Sequence, residues 1–279
     1  MINLGDYNTL PIVKHTEQGL YLDGGVEAGE ILLPRRYVTR DMRVGDTLDV
    51  FLYLDQDERL VATTEHPYAK VGEFACLEVA WINKYGAFMK WGLLKDLFCP
   101  FREQKQRMEQ GKSYVVYIKV DDESYRLMAT AKVEKYLADD RPPYKHGDAV
   151  DCLIWQKTDL GFKAIVDNRY QGQLYDNQIF RQLRTGNRLT AYIDHIRQDN
   201  KIDLTLQPTG QQHTLDFAET LLRYLYENDG RCDLGDKSPA ELIYDRFKVS
   251  KKAYKRAVGD LYKRHLITIG DEGDRKSVV

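Results

Sequence analysis

Residues 72–91 read GEFACLEVAWINKYGAFMKW, and the frame of this stretch occurs three times in the chain. Gly72 is followed by an acid, and fourteen residues later comes Gly86. The same interval separates Gly5 from Gly19 and Gly147 from Gly161. A third glycine follows after another 25 or 26 residues, at Gly45, Gly111 and Gly186. Beyond it, apolar residues alternate: Leu48/Val50/Leu52, Tyr114/Val116/Ile118 and Leu189/Ala191/Ile193. That is the period of a strand with one buried face. Each unit closes with a polar turn and a short strand ending in Thr63, Thr130 or Thr205.

A supersecondary unit repeated along the chain is the first thing to settle about a fold. Glycines at turns and strand kinks suit a small, strongly curved sheet, because other residues resist positive φ and close strand approach. About five short strands per unit fits a small closed Greek-key barrel such as the OB-fold. The joins are rich in turn residues: TEHPYAK around Pro67, ADDRPPYKH around Pro142 and Pro143, LQPTGQQH around Pro208. Past the last join the pattern turns helical. TLDFAETLLRYLYEND places Leu215, Leu221, Leu222 and Leu225 at helical spacing, with Asp216 and Glu219 near its start. KSPAELIYDRF predicts a helix capped by Ser238, with Pro239 in the first turn and Glu241 closing a capping box. A third helix from Ser250 carries Ala253, Tyr254, Ala257, Val258, Leu261 and Tyr262 on one face. LITIGDEGDRKSVV then reads as strand, turn and strand. The expected fold is multidomain and mainly β: three five-stranded barrels at 1–69, 70–145 and 146–210, then an α+β winged helix-turn-helix at 211–279.

Composition limits the function classes. The chain has 279 residues, 43% apolar and 30% charged, enough for packed cores. No apolar run approaches the roughly 20 residues of a membrane span, and no secretion signal is visible at the start. Cys76, Cys99, Cys152 and Cys232 are scattered, which predicts reduced thiols in a cytoplasmic protein rather than disulfides or a zinc site. The six histidines show no metal-ligand spacing, and Asp121-Asp122-Glu123 sits at an expected hairpin turn. No Walker loop, paired catalytic carboxylates or activated nucleophile stands out, so no enzyme, metal, cofactor or small-molecule substrate is expected. Trp81, Trp91 and Trp155 read as core or inter-domain anchors.

Two features point to nucleic acid. On a strand, Ala87, Met89 and Trp91 share one face, leaving Phe88 and Lys90 on the other, with Tyr85 just before Gly86. Exposed rings stack unpaired bases while nearby cations hold phosphates. From Arg246 to Arg264 there are eight cations against Asp260 alone, +7 in a chain whose net charge is −2. Lys252, Lys255, Arg256 and Lys263 fall on the helix side away from its apolar stripe, a phosphate-facing surface.

The glycine frame resembles the S1 RNA-binding domain, an OB-fold module. Three such units followed by a winged helix resemble the conserved virulence factor B family of bacterial proteins, most sharply in GAFMKWGLLKDLFCPFREQ (86–104) and VSKKAYKRAVGDLYKRHLITI (249–269). The resemblance implies that RNA lies on Tyr85, Phe88 and Lys95 of the second repeat, with Lys84 and Lys90 alongside. The corresponding places are Gln18, Tyr21 and Leu32 in the first repeat and Leu160, Lys163 and Tyr175 in the third; Arg35 and Arg36 add phosphate contacts in the first. The expected function is non-enzymatic binding of single-stranded RNA in post-transcriptional regulation of gene expression. The rivals are a duplex-DNA-binding regulator acting through the winged helix, a protein-interaction scaffold, and, weakest, a nuclease.

Overall fold

The structure, a computed structural model, describes residues 2–176, 179, 182–207, 211–235, 238–247, 249–270 and 273–276, with backbone alone for 211–216, 270 and 273–276. The first barrel comprises β1 (Tyr7–His15), β2 (Gly19–Asp23), a short α1 (Gly25–Ala28), β3 (Glu30–Pro34), β4 (Thr47–Leu54) and β5 (Leu60–Thr63). The second comprises β6 (Phe74–Ile82), β7 (Gly86–Lys90), β8 (Leu97–Pro100), β9 (Ser113–Val120) and β10 (Leu127–Thr130). The third comprises β11 (Ala149–Thr158), β12 (Gly161–Val166), β13 (Tyr170–Tyr175), β14 (Arg188–Ile196) and β15 (Ile202–Thr205). All three close in the same strand order, first-second-third-fifth-fourth. The third and fifth strands pair in parallel each time.

The repeated glycines have structural duties. The first of each frame donates its N–H to the fourth strand: Gly5 to Leu52, Gly72 to Ile118 and Gly147 to Ile193, at 2.8, 2.9 and 2.8 Å. The third donates to the first strand: Gly45 to Ile12, Gly111 to Val79 and Gly186 to Ile154, at 2.9, 2.9 and 2.7 Å. Both sets have positive φ, which favours glycine. The second lies where two strands cross closely. A Cβ on Gly19, Gly86 or Gly161 would stand 2.0, 2.4 or 2.1 Å from a carbonyl oxygen of the neighbouring strand. The closing threonines are buried, and their hydroxyls accept from the N–H two residues on, at Glu65, Lys132 and Gln207.

Residues Met1–Leu137 form one compact unit. Within it the Pro67 segment, expected as a linker, is packed. Ala69 is buried, Tyr68 N–H donates to the Trp91 carbonyl at 2.8 Å, and Val71 N–H donates to Gly5 at 2.9 Å. Phe51, Tyr53 and Val61 of the first barrel join Met89, Trp91 and Leu97 of the second in a single apolar core. Trp91, 2% exposed, meets Phe51 edge-on at 5.9 Å between ring centres. The anchor reading of Trp91 therefore holds, and Trp155 is buried as well.

Residues Ala138–Val279 form a second unit. After the third barrel come α2 (Gln211–Glu227), β16 (Arg231–Cys232), α3 (Ala240–Phe247), α4 (Lys251–Lys263), β17 (Ile267–Gly270) and β18 (Gly273–Lys276). The wing has three strands, β16-β18-β17, where the sequence predicts two. Leu221, Leu225, Ile243, Tyr254, Ala257 and Leu261 make the core. Ser250 caps α4 as expected, its Oγ accepting from Ala253 N–H at 3.1 Å. Three expectations are corrected. Helix α2 begins at Gln211, so Asp216 and Glu219 lie beyond its first turn. Ser238 Oγ accepts from Gly235 N–H, upstream of α3, and Pro239 precedes that helix. Tyr262 belongs to the solvent side of α4, 53% exposed. Pro208, Lys237, Lys248, Asp271 and Glu272 lie outside the described residues.

Candidate nucleic-acid interface

Strands β6, β7 and β8 lie side by side, and their pairing sets three rings in a row. Trp81 pairs with Phe88 on β7, and Phe88 pairs with Phe98 on β8. Simple alternation from the buried Leu77 and Val79 would send Trp81 into the barrel. A register shift between Val79 and Trp81 turns it outward instead. The reading of Trp81 as a core anchor is thus corrected: it is 43% exposed and lies flat on Phe88, ring centres 3.7 Å apart and planes 4° apart. Phe98 tilts against the ladder at 4.9 Å from Phe88. Asp96 Oδ2 accepts from the indole Nε1–H of Trp81 at 2.9 Å and fixes the ring's orientation.

Tyr85 stands beside this ladder in the β6–β7 turn. Asn83 Oδ1 accepts from the N–H groups of Tyr85 and Gly86 at 2.8 and 3.1 Å, a side-chain turn that holds the loop. The Tyr85 ring is 62% exposed, with the Lys84 ammonium 5.0 Å above it. Lys90 is exposed, but its ammonium meets Glu78 across the strand at 2.7 Å, and that hydrogen bond holds its pKa above the usual lysine value. Lys95 is not on the sheet. Its ammonium donates to the Asp55 main-chain carbonyl at 2.6 Å, and burial pulls its pKa down.

Lys95 forms part of the wall of a cleft of about 630 Å³ that the ladder shares with the first barrel. Tyr53, Leu54 and Glu58 come from the first barrel; Tyr85, Phe88 and Phe98 come from the second. Charge at the wall is balanced internally. Arg126 pairs with Glu58, and Arg102 lies 3.4 Å from Asp121, whose carboxylate also accepts from Ser124. The Asp121-Asp122-Glu123 run occupies the β9–β10 turn, as expected.

The same register compares the three barrels. Where the second holds Trp81, Phe88 and Phe98, the first holds Lys14, Tyr21 and Leu32, and the third Gln156, Lys163 and Gln173. The position before the second glycine agrees with the sequence alignment: Gln18, Tyr85 and Leu160 are all exposed at the same hairpin. The third position does not align. Lys95 precedes β8, Leu32 pairs with Tyr21, and Tyr175 pairs with Gly161 at the strand end. The connections between second and third strands differ in length, so counting from a glycine loses register there. In the first barrel Lys14 sits 5.1 Å over the Tyr21 ring, and Arg35 and Arg36 are exposed in a helical turn after β3. In the third, Lys163 lies 5.3 Å over Trp155, and the Tyr175 hydroxyl accepts from Arg197 at 2.6 Å.

The basic helix α4 presents Lys252, Lys255, Arg256 and Lys263 to solvent, with Tyr262 among them. Lys251, Arg246 and Arg264 of that run are held within the domain. Lys251 donates to the Ser238 carbonyl at 2.7 Å, Arg246 to the Tyr224 hydroxyl at 2.6 Å, and Arg264 to Asp260 at 3.2 Å.

Comparison with known proteins places these features. Residues 4–65 match the S1 domain, and residues 219–275 match the CvfB-like winged helix domain. YitL of Bacillus subtilis is 28% identical over 93% of this chain and 89% of its own length. Conserved virulence factor B of Staphylococcus saprophyticus is 22% identical, covering 82% of this chain and 79% of that protein. A crystal structure from Streptococcus pneumoniae, described as a multidomain protein with nucleic acid binding domains, covers 98% of both chains at 21% identity with a TM-score of 0.43. The S1 match falls on the first barrel, whereas the row of three rings is on the second.

Proposed function

We propose that this chain, a member of the conserved virulence factor B family with S1 and winged-helix domains of nucleic-acid-binding type, binds single-stranded RNA without acting on it chemically. The observation that carries the reading is the Trp81–Phe88–Phe98 ladder with the open Tyr85 beside it. Flat rings on an OB-type sheet hold unpaired bases, each worth roughly 1–3 kcal/mol, whereas duplex bases present no free face. Burial pushes the thiols of Cys99 and Cys152 up to about 12 and keeps them protonated, which argues against either of these two as a nucleophile. The role is post-transcriptional regulation in the cytoplasm.

Stacking and phosphate binding fall on different parts of the chain. At the ladder Lys90 is paired and the cleft cations face acids, so affinity there comes mainly from stacking. The salt-dependent part is assigned to Lys252, Lys255, Arg256 and Lys263 on α4, with Lys84, Arg35 and Arg36 as further exposed cations. Binding to unstructured RNA then weakens with salt by about 0.7 in log affinity per log salt for each phosphate neutralised. Lys252→Ala with Arg256→Ala flattens that slope by about 1.4, read from titrations at several salt concentrations. An unchanged slope removes α4 from the RNA path. A duplex DNA that outcompetes RNA of matched length selects the rival regulator.

A further inference from the structure

We infer that the cleft between the first two barrels receives a strand end, so that the second barrel binds single-stranded RNA at a hydroxyl terminus rather than along its length. The inference rests on the single-strand reading above and adds how the strand is seated. Two hairpins meet at this cleft: the β4–β5 turn carrying Asp55 and Glu58, and the β9–β10 turn carrying Asp121 and Arg126. They are tied together by the Arg126–Glu58 ion pair, and Lys95 reaches the Asp55 carbonyl at 2.6 Å. The apolar core running unbroken from Phe51 to Trp91 holds the two barrels in one arrangement behind it. A strand laid on the Phe88–Phe98 rings towards this side therefore meets a wall built by the neighbouring barrel.

The chemistry of the wall favours an uncharged end. Its charges are already matched, Arg126 with Glu58 and Arg102 with Asp121, while Lys95 is held by a carbonyl and Asp96 by the Trp81 indole. A terminal phosphate would therefore lose its hydration there without gaining an unengaged cation. Tyr53, Leu54, Phe88 and Phe98 offer apolar and ring surface to a base. The cleft volume of about 630 Å³ falls in the range of sites that enclose a small organic ligand, enough for a terminal nucleoside.

The test uses the full chain and one unstructured RNA sequence in three forms: linear with hydroxyl ends, linear with a phosphate on either end, and covalently circular. The linear hydroxyl form is expected to bind about tenfold tighter than the circle, the worth of one stacked base. Phosphate on the inserted end brings affinity down to that of the circle. Opening the wall with Glu58→Ala and Arg126→Ala, both on exposed side chains, raises binding of the circle towards that of the linear form. Equal affinity of linear and circular RNA overturns end capture and leaves single-strand binding standing. Indifference to phosphate at both ends also overturns it. Failure of every form to bind overturns the single-strand reading itself.

Discussion

Trp91→Ala destabilises the first two barrels together, by about 3–5 kcal/mol, the usual loss for a large buried aromatic. Trp91 is 2% exposed, follows β7, and touches Phe51 from the neighbouring barrel. Its indole Nε1–H also donates to the Lys95 carbonyl at 2.6 Å, so the substitution leaves both a cavity and an unpaired acceptor. Because one apolar core spans both barrels, the loss is shared. Urea unfolding of the wild type is expected to show a single transition for Met1–Leu137, and the variant a single transition at lower denaturant. A variant in which the second barrel melts alone, or a loss under about 1 kcal/mol, contradicts the shared core. Trp81→Ala is the control. It removes an exposed ring and costs about 1 kcal/mol or less through its contact with Phe88.

The second large effect is on binding. Trp81→Ala with Phe88→Ala removes two rings of the ladder and leaves every cation in place. Affinity for unstructured RNA is expected to fall at least about tenfold, the loss of one stacked base or more. The two rings lie on each other at 3.7 Å, so single substitutions will not sum to the double. The salt slope stays that of the parent protein, because no phosphate contact is lost. This separates the ladder from α4, where the reverse pattern is expected. A double variant that binds like the parent places the RNA elsewhere.

Much of the fold can be read in the sequence, and the reason is physical. Each glycine of the frame either holds positive φ at a strand junction or lets two strands cross, so its spacing records barrel geometry directly. Alternation places Phe88 on the outer side of the sheet, where the ring is half-buried against Trp81 rather than fully exposed as expected. Applied to Leu97 and Cys99, it also sends Phe98 to that side. Trp81 escapes that rule because a bulge inverts parity after Val79, and no residue type announces the bulge. The matching shifts at Ile12/Lys14 and Ile154/Gln156 show it is part of the repeat, so only the three barrels together reveal it. Lys95 illustrates a second limit. Its fate is set by a carbonyl from another barrel, forty residues away in sequence. The Pro67 segment has linker composition yet is packed, because its burial depends on a partner surface that composition does not describe.

Photocrosslinking of unstructured RNA to the intact chain, followed by peptide mapping, tests the central claim most directly. Crosslinks are expected on the peptides carrying Trp81, Tyr85, Phe88 and Phe98. Crosslinks confined to α4, or to the first and third barrels, contradict it.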